Sequence, residues 1–192
     1  MTGVPRELTP DGRAVTRVLF VCTGNQHRSV LAERLLALRL GADSPVLVAS
    51  AGTQTERRPG MDAATRSVLE ERGGDGADFT ARPLTEELVD GADLVLGLAR
   101  EHREAAVRLA PLALRRCFTL KEFLRLASAT EPGPGVIARA AARRGTVAVV
   151  PAAEDEVADP WGAPYDVLRA CAAELDDAVG RLAGLLVGVR AW

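Results

Sequence analysis

Lysine is nearly missing from these 192 residues: Lys121 is the single one, and arginine supplies the rest of the positive charge. In a chain also rich in alanine and glycine, this reads as compositional bias rather than as an arginine-specific function. An excess of either charge is missing too, and a formal net charge of −2 argues against a dedicated nucleic-acid binder. Cysteine is scarce. Cys22, Cys117 and Cys171 lie far apart and show no metal-ligand spacing, so no metal centre is expected and a reducing, cytoplasmic setting fits. Long apolar runs are absent; the stretch at 182–189 is too short to cross a bilayer, so no membrane insertion is expected. Residues 1–16 contain Pro5, Pro10 and Gly12, lack the apolar core of a secretory signal, and are expected to form a flexible N-terminal tail. There are no internal repeats.

What remains is an ordinary globular composition, 47% hydrophobic and 26% charged, in a length that suits one domain with a sheet covered on both faces. Patterning predicts strands at 17–21, 46–49, 93–98 and 117–120. Between and after them, helices are expected at 29–40, 61–72, 83–92, 100–109 and 121–127, with Thr85 as an N-cap. A last helix at 164–189 puts Leu168, Cys171, Leu175, Val179, Leu182 and Leu186 on one side, to pack on the sheet. Alternating strands and helices imply an α/β fold, a three-layer α/β/α sandwich around a central four-stranded parallel sheet. Residues 128–156 read as a surface insertion. Its arginines, Arg139, Arg143 and Arg144, are expected to pair locally with Glu154, Asp155 and Glu156.

The first strand runs straight into Cys22-Thr23-Gly24-Asn25-Gln26-His27-Arg28-Ser29. Gly24 permits a tight turn, the loop amides can face an oxyanion, and the following helix points its N-terminus at the same centre. A cysteine at such a place is expected to be a thiolate, the reactive form of the residue. Arg28 can grip two phosphoryl oxygens with its planar guanidinium while the sulfur attacks phosphorus. Ser29 could donate a hydrogen bond to that sulfur. The chemistry suggested is phosphoryl transfer to cysteine.

With Cys-x5-Arg-Ser on the first strand-to-helix turn and Asp159-Pro160-Trp161 near the C-terminus, the chain resembles the low-molecular-weight protein tyrosine phosphatases. Chain order supports that branch, since the Asp-Pro pair follows the cysteine by 137 residues, whereas larger tyrosine phosphatases carry their acid loop upstream. Further matches are Ser50-Ala51-Gly52-Thr53, Leu84-Thr85-Glu86-Glu87-Leu88, Ala92-Asp93-Leu94-Val95-Leu96 and Phe118-Thr119-Leu120-Lys121-Glu122-Phe123. The resemblance makes residues 17–192 the phosphatase domain. It implies Cys22 as nucleophile through a phosphocysteine, Arg28 and the amides of Thr23, Gly24, Asn25, Gln26, His27 and Arg28 as the phosphate cradle, and Asp159 as general acid and then base. Asn25, Ser29 and Ser50 would hold the loop's shape, and Trp161 would wall the pocket beside the substrate. No metal or other cofactor is implied. The expected partner is a phosphorylated protein, phosphotyrosine first; phosphoarginine or a small phosphate ester are the alternatives with the same mechanism. Oligomeric state is not legible.

Some positions depart from the family pattern. His27 stands where a second cysteine usually precedes the arginine, so the adjacent disulfide that shields an oxidised nucleophile cannot form, and oxidation of Cys22 is expected to run on to sulfinic acid. An outward-facing, solvated imidazole is expected for His27. Phe79 falls where a loop-supporting histidine is common, and Val30 replaces a proline. His102, flanked by Glu101 and Arg103, reads as a surface residue. Thr53-Gln54-Thr55-Glu56-Arg57-Arg58 gives a more polar pocket rim, and Gln26 decides between neither tyrosine nor arginine specificity. Two other readings are an arsenate reductase, which needs a close cysteine pair and for which Cys117 alone is in plausible reach, and a catalytically silent phosphate-binding protein.

Overall fold

The computed structural model describes residues 12, 14–148 and 150–188. Most of the expected N-terminal tail, residues 1–11 and 13, falls outside that set, as do 189–192 at the end of the expected last helix. The first strand, β1 (Thr16–Cys22), leads into helix α1 (Arg28–Leu40), and β2 (Val46–Gly52) returns beside it. A short antiparallel pair, β3 (Arg58–Pro59) and β4 (Thr80–Ala81), brackets α2 (Ala63–Glu70). Then come α3 (Glu86–Asp90), β5 (Leu94–Gly97), α4 (Arg100–Leu109), a 3-10 turn at Pro111–Arg116, and β6 (Cys117–Thr119). The chain continues through α5 (Leu120–Ala127), α6 (Val136–Ala142) and α7 (Ala152–Asp155) to the long α8 (Tyr165–Val187).

The four longer-range strands form one parallel sheet in the order β2-β1-β5-β6, with Cys22 of β1 opposite Gly52 of β2 and Val21 opposite Gly97 of β5. Parallel neighbours need crossovers, and the helices that supply them cover both faces. Alternation along β1 divides the core. Val18, Phe20 and Cys22 face one cluster that includes Leu31, Leu35, Leu94, Leu96, Leu175 and Val179, whereas Leu19 and Val21 face a second with Val95, Ala106 and Cys117. The α/β/α sandwich read from the sequence is therefore the architecture observed. On α8 the expected face is buried at Leu168, Cys171, Leu175, Val179 and Leu182, while Leu186 is half-buried.

Caps fall where short polar residues allow them. Thr85 accepts from the Leu88 amide, and Thr119 forms a reciprocal capping box with Glu122 at the start of α5. The segment 128–156 is tied to the body of the fold, although Arg139 bonds locally to the carbonyls of Glu131 and Pro134. Its helix α6 buries Val136 and Ala140 against α5. The expected local charge pairing is not what forms. Asp155 binds Arg100 and Arg125, and Arg144 binds Glu122 and the carbonyls of Leu114 and Cys117 while lying 3.8 Å over the Phe118 ring. Less exposed partners beyond the segment, Glu122 for Arg144 and Arg100 and Arg125 for Asp155, hold these charges better than exposed Glu154 would, because solvent screens an exposed pair.

Candidate active site

Sheet topology sets the site. The C-terminal ends of β1, β2 and β5 lie together, the usual edge for ligands in open α/β sheets. Cys22 is the last residue of β1, and the turn after it closes without help from Gly24. Asn25 carries the left-handed backbone instead, at φ 50°. Asparagine tolerates that region because its short amide bonds locally. Here the amide nitrogen of Asn25 donates to Ser29 Oγ (2.9 Å) and Ser50 Oγ (2.7 Å), and its oxygen accepts from the Arg82 amide (3.0 Å). Ser50 in turn donates to Glu33 at 2.5 Å. Burial pushes the Glu33 carboxyl upward, and the Ser50 hydrogen bond opposes it.

Main chain completes the brace. Thr53 and Gln54 donate to the carbonyls of Cys22 and Thr23, both at 2.9 Å. A Cβ on Gly52 would stand 2.7 Å from the Thr23 carbonyl and 3.0 Å from the Asn25 amide, so only glycine lets β2 lie this close to the loop. Inside the cradle, Cys22 Sγ and Ser29 Oγ are 2.9 Å apart. Helix α1 starts at Arg28 with no side-chain cap and no acidic residue in its first turn. Its first amides are thus left for an incoming anion.

Arg28 is buried, with 6% of its side chain exposed, and reaches the far end of the chain. It donates to the Val157 carbonyl (3.2 Å) and to Asp159 Oδ2 (2.5 Å), and at 3.4 Å to Thr23 Oγ1. The Trp161 amide donates to the other carboxylate oxygen of Asp159. A cavity of about 690 Å³ opens between these groups. Cys22, Thr23, Gly24, Gln26, His27, Arg28, Asp159 and Trp161 line it, together with Gln54, Thr55, Glu56 and Arg58 from the expected polar rim. Asn25, Ser29 and Ser50, joined by their hydrogen bonds, stand behind the wall.

Several expectations give way. The imidazole of His27 is not solvated: its Nδ1 lies 2.5 Å from Thr65 Oγ1, its ring centroid is 5.6 Å from that of Trp161, and burial lowers its pKa against the pull of Asp62. Helix α2 packs close enough to α1 to catch it. Gln26 is buried too and donates to the Gly60 carbonyl at 3.5 Å. His102 is no surface residue, being completely buried with Nε2 3.0 Å from Thr23 Oγ1. Phe79, in keeping with its departure from the family's histidine, joins the core beneath the Arg34 guanidinium. The thiol near the site is not Cys117 but Cys171, whose Sγ contacts the Ala158 carbonyl and feels the charges of Arg28, Asp159 and Cys22. Among the described residues, no group of three or more His, Cys, Asp and Glu is placed to hold a metal ion.

The family model described as "Low molecular weight phosphotyrosine protein phosphatase" matches residues 17–132. The chain belongs to this family of cysteine-dependent phosphatases. A protein-arginine-phosphatase of Geobacillus stearothermophilus is 31% identical over 167 residues, covering 87% of this chain and 93% of its own. A low-molecular-weight protein-tyrosine-phosphatase of Streptomyces coelicolor is 39% identical over 99 residues, covering 50% of this chain and 60% of its own. Among solved structures, the low-molecular-weight protein tyrosine phosphatase of T. tengcongensis superposes with a TM-score of 0.67 at 32% identity, covering 87% of this chain and 97% of that one. The arginine phosphatase YwlE of Geobacillus stearothermophilus does so with the same score at 30%, covering 88% and 90%. The family match ends before Asp159, so this phosphatase's candidate acid rests on geometry. Among the described residues, no helix is long and apolar enough to cross a membrane.

Proposed function

We propose that the protein hydrolyses phosphotyrosine in phosphorylated proteins, with Cys22 as nucleophile and Asp159 as general acid and base. The observation that carries the reading is the meeting of Cys22, Arg28 and Asp159 in one cavity, although Asp159 lies 131 residues beyond Arg28. In the first half-reaction Cys22 Sγ attacks phosphorus, the P–O ester bond breaks, and Asp159 gives its proton to the departing oxygen. In the second, Asp159 takes a proton from water as that water attacks phosphorus, and the S–P bond breaks to release inorganic phosphate. Arg28 and the uncapped amides of α1 counter the charge on the transferring group. The Ser29 hydroxyl beside Sγ stabilises the sulfur as it leaves.

Thr23, Gly24, Gln26 and His27 form the inner wall around the phosphoryl group, and the His27–Trp161 pair offers an aromatic side to a phenol ring. A second reading, phosphoarginine hydrolysis by the same steps, is favoured by the broader coverage of the arginine-phosphatase relatives and by Glu56, Gln26 and Asp159, which can accept from a guanidinium. Residues 17–192 act as the phosphatase domain. Three unpaired cysteines support a cytoplasmic setting. The test is steady-state hydrolysis of phosphotyrosine and phosphoarginine peptides by wild type and Cys22→Ser, with reductant and without added metal. Turnover that vanishes in Cys22→Ser supports the mechanism, and the preferred peptide assigns the substrate. No turnover of either by wild type overturns the assignment to phosphoproteins.

A further inference from the structure

The β5–α4 junction carries a buried histidine that the proposed mechanism leaves unused. His102 lies in the first turn of α4, 79 residues from Thr23, yet the two meet because α4 sits hard against the sheet. Gly97 at the end of β5 makes that approach possible. A Cβ there would stand 2.6 Å from the Arg103 amide and 3.1 Å from His102 Cβ. The same junction is fastened on both sides: Leu98 donates to the Val21 carbonyl next to the nucleophile, and Val157, two residues before Asp159, donates to the Leu98 carbonyl. The imidazole thus stands where cradle and acid loop are joined.

The tautomer follows from its neighbours. Two oxygens lie near Nε2, Thr23 Oγ1 at 3.0 Å and Glu101 Oε1 at 3.4 Å, and a carboxylate oxygen can only accept. With Nδ1 unpartnered among the described residues, a proton on Nε2 avoids an orphaned buried N–H, and the nearer oxygen, Thr23 Oγ1, accepts the hydrogen bond. Nδ1 is left as a bare acceptor. Burial, aided by Arg28, lowers the pKa of the ring to about 4 against the opposing charge of Asp159, so the ring is neutral at physiological pH. Thr23 Oγ1 then accepts from two donors, His102 Nε2 and, over a longer 3.4 Å, the Arg28 guanidinium. A hydroxyl oxygen offers two lone pairs, and with both engaged only its proton is left to give. Thr23 lines the cavity.

We infer that His102 is a positioning residue that turns the Thr23 hydroxyl into a fixed donor to the phosphoryl oxygens and steadies Arg28 through it. The inference rests on the phosphatase reading for its place in catalysis, but its first consequence is the binding of a phosphate ion, which needs no turnover. Removing the imidazole frees the hydroxyl to rotate, and the cradle loses one oriented donor.

The experiment measures inorganic phosphate binding by calorimetry, and in parallel kcat and KM with p-nitrophenyl phosphate, for wild type, His102→Ala, His102→Gln, Thr23→Val and the His102→Ala/Thr23→Val double variant. Thermal unfolding checks that each is folded. The expected result is phosphate binding weakened about tenfold in His102→Ala, the order of one oriented hydrogen bond to a charged group. Glutamine, whose amide nitrogen can reach the place of Nε2, restores most of it. The double variant is no weaker than Thr23→Val alone, because the histidine acts through that hydroxyl. Additive losses in the double variant, or phosphate binding within twofold of wild type in His102→Ala, overturn the inference. Should His102→Ala fail to fold, His102→Gln against Thr23→Val decides: glutamine near wild type with valine weakened supports it, and equal weakening refutes it. A wild type that binds phosphate without turning over any ester would sink the phosphatase reading and leave the binding comparison intact.

Discussion

Between Cys22 and Ser29 the chain is mostly packed away, with Asn25 and Ser29 wholly buried, Arg28 nearly so and Thr23, Gly24 and His27 half-buried, whereas across the cavity Asp159 keeps 46% of its side chain exposed and Trp161 is 73% exposed. Asn25 alone makes three side-chain hydrogen bonds, to Ser29, Ser50 and the Arg82 amide. Asp159 is held by Arg28 and one backbone amide. On the proposed function, the part of the site that holds a tetrahedral anion is the part built into the sheet edge, and the part that faces the rest of the substrate is lightly held at the surface. Phosphate chemistry and substrate choice are thereby placed in regions that tolerate change very differently.

That contrast can be broken from the acid side first. Asp159→Asn should slow turnover of a phosphotyrosine peptide by about 10²–10⁴-fold while slowing p-nitrophenyl phosphate, with its good leaving group, far less. The stability loss should stay at about 1 kcal/mol, because asparagine keeps an oxygen acceptor for the buried Arg28 while removing the charge. Equal losses on both substrates would argue against Asp159 as the acid. Asn25→Ala probes the other side. Losing its bonds, at a position with φ 50°, should cost about 3 kcal/mol of stability in urea unfolding along with activity. A stability loss below about 1 kcal/mol would mean that the cradle does not depend on this residue.

A pH experiment sharpens the difference without touching the acid loop. The His102 imidazole titrates near pH 4 when folded and near 6.5 when unfolded, so the unfolded chain takes up a proton first as pH falls. Stability from this group is complete above pH 6.5 and shrinks toward pH 4, by up to about 3 kcal/mol. His102→Gln should flatten the slope over that window. The smallest effect belongs to Trp161→Ala: stability within about 0.5 kcal/mol of wild type, and a several-fold rise in KM for aromatic phosphopeptides only.

The cradle could be read from sequence because its functional groups are consecutive, and the α/β architecture because buried parallel strands and amphipathic helices leave strong local patterns. Asp159 was reachable only through resemblance, since Asp-Pro is by itself a common turn pair. His102 escaped because Glu101 and Arg103 beside it suggested solvent, although Glu101 stays 73% exposed while the imidazole between them is buried. A better signal was the spacing of four to Ala106, the other buried residue of α4. The burial of His27 depends on Thr65, 38 residues away, and no local pattern carries it. The charges of 128–156 misled for a related reason: the carboxylate that holds Arg144 and the arginines that hold Asp155 come from α4 and α5, brought near only by the fold.

The two other thiols give the molecule a practical property. Burial pushes Cys117 up to about 11 and Cys171 up to about 12, so both remain protonated and closed to electrophiles at neutral pH. On the proposed mechanism, alkylation of the native protein by iodoacetamide should therefore count intact Cys22 rather than total sulfur. The fraction of a preparation that is competent can be read as a stoichiometry, one label per working cradle, with no substrate in the tube.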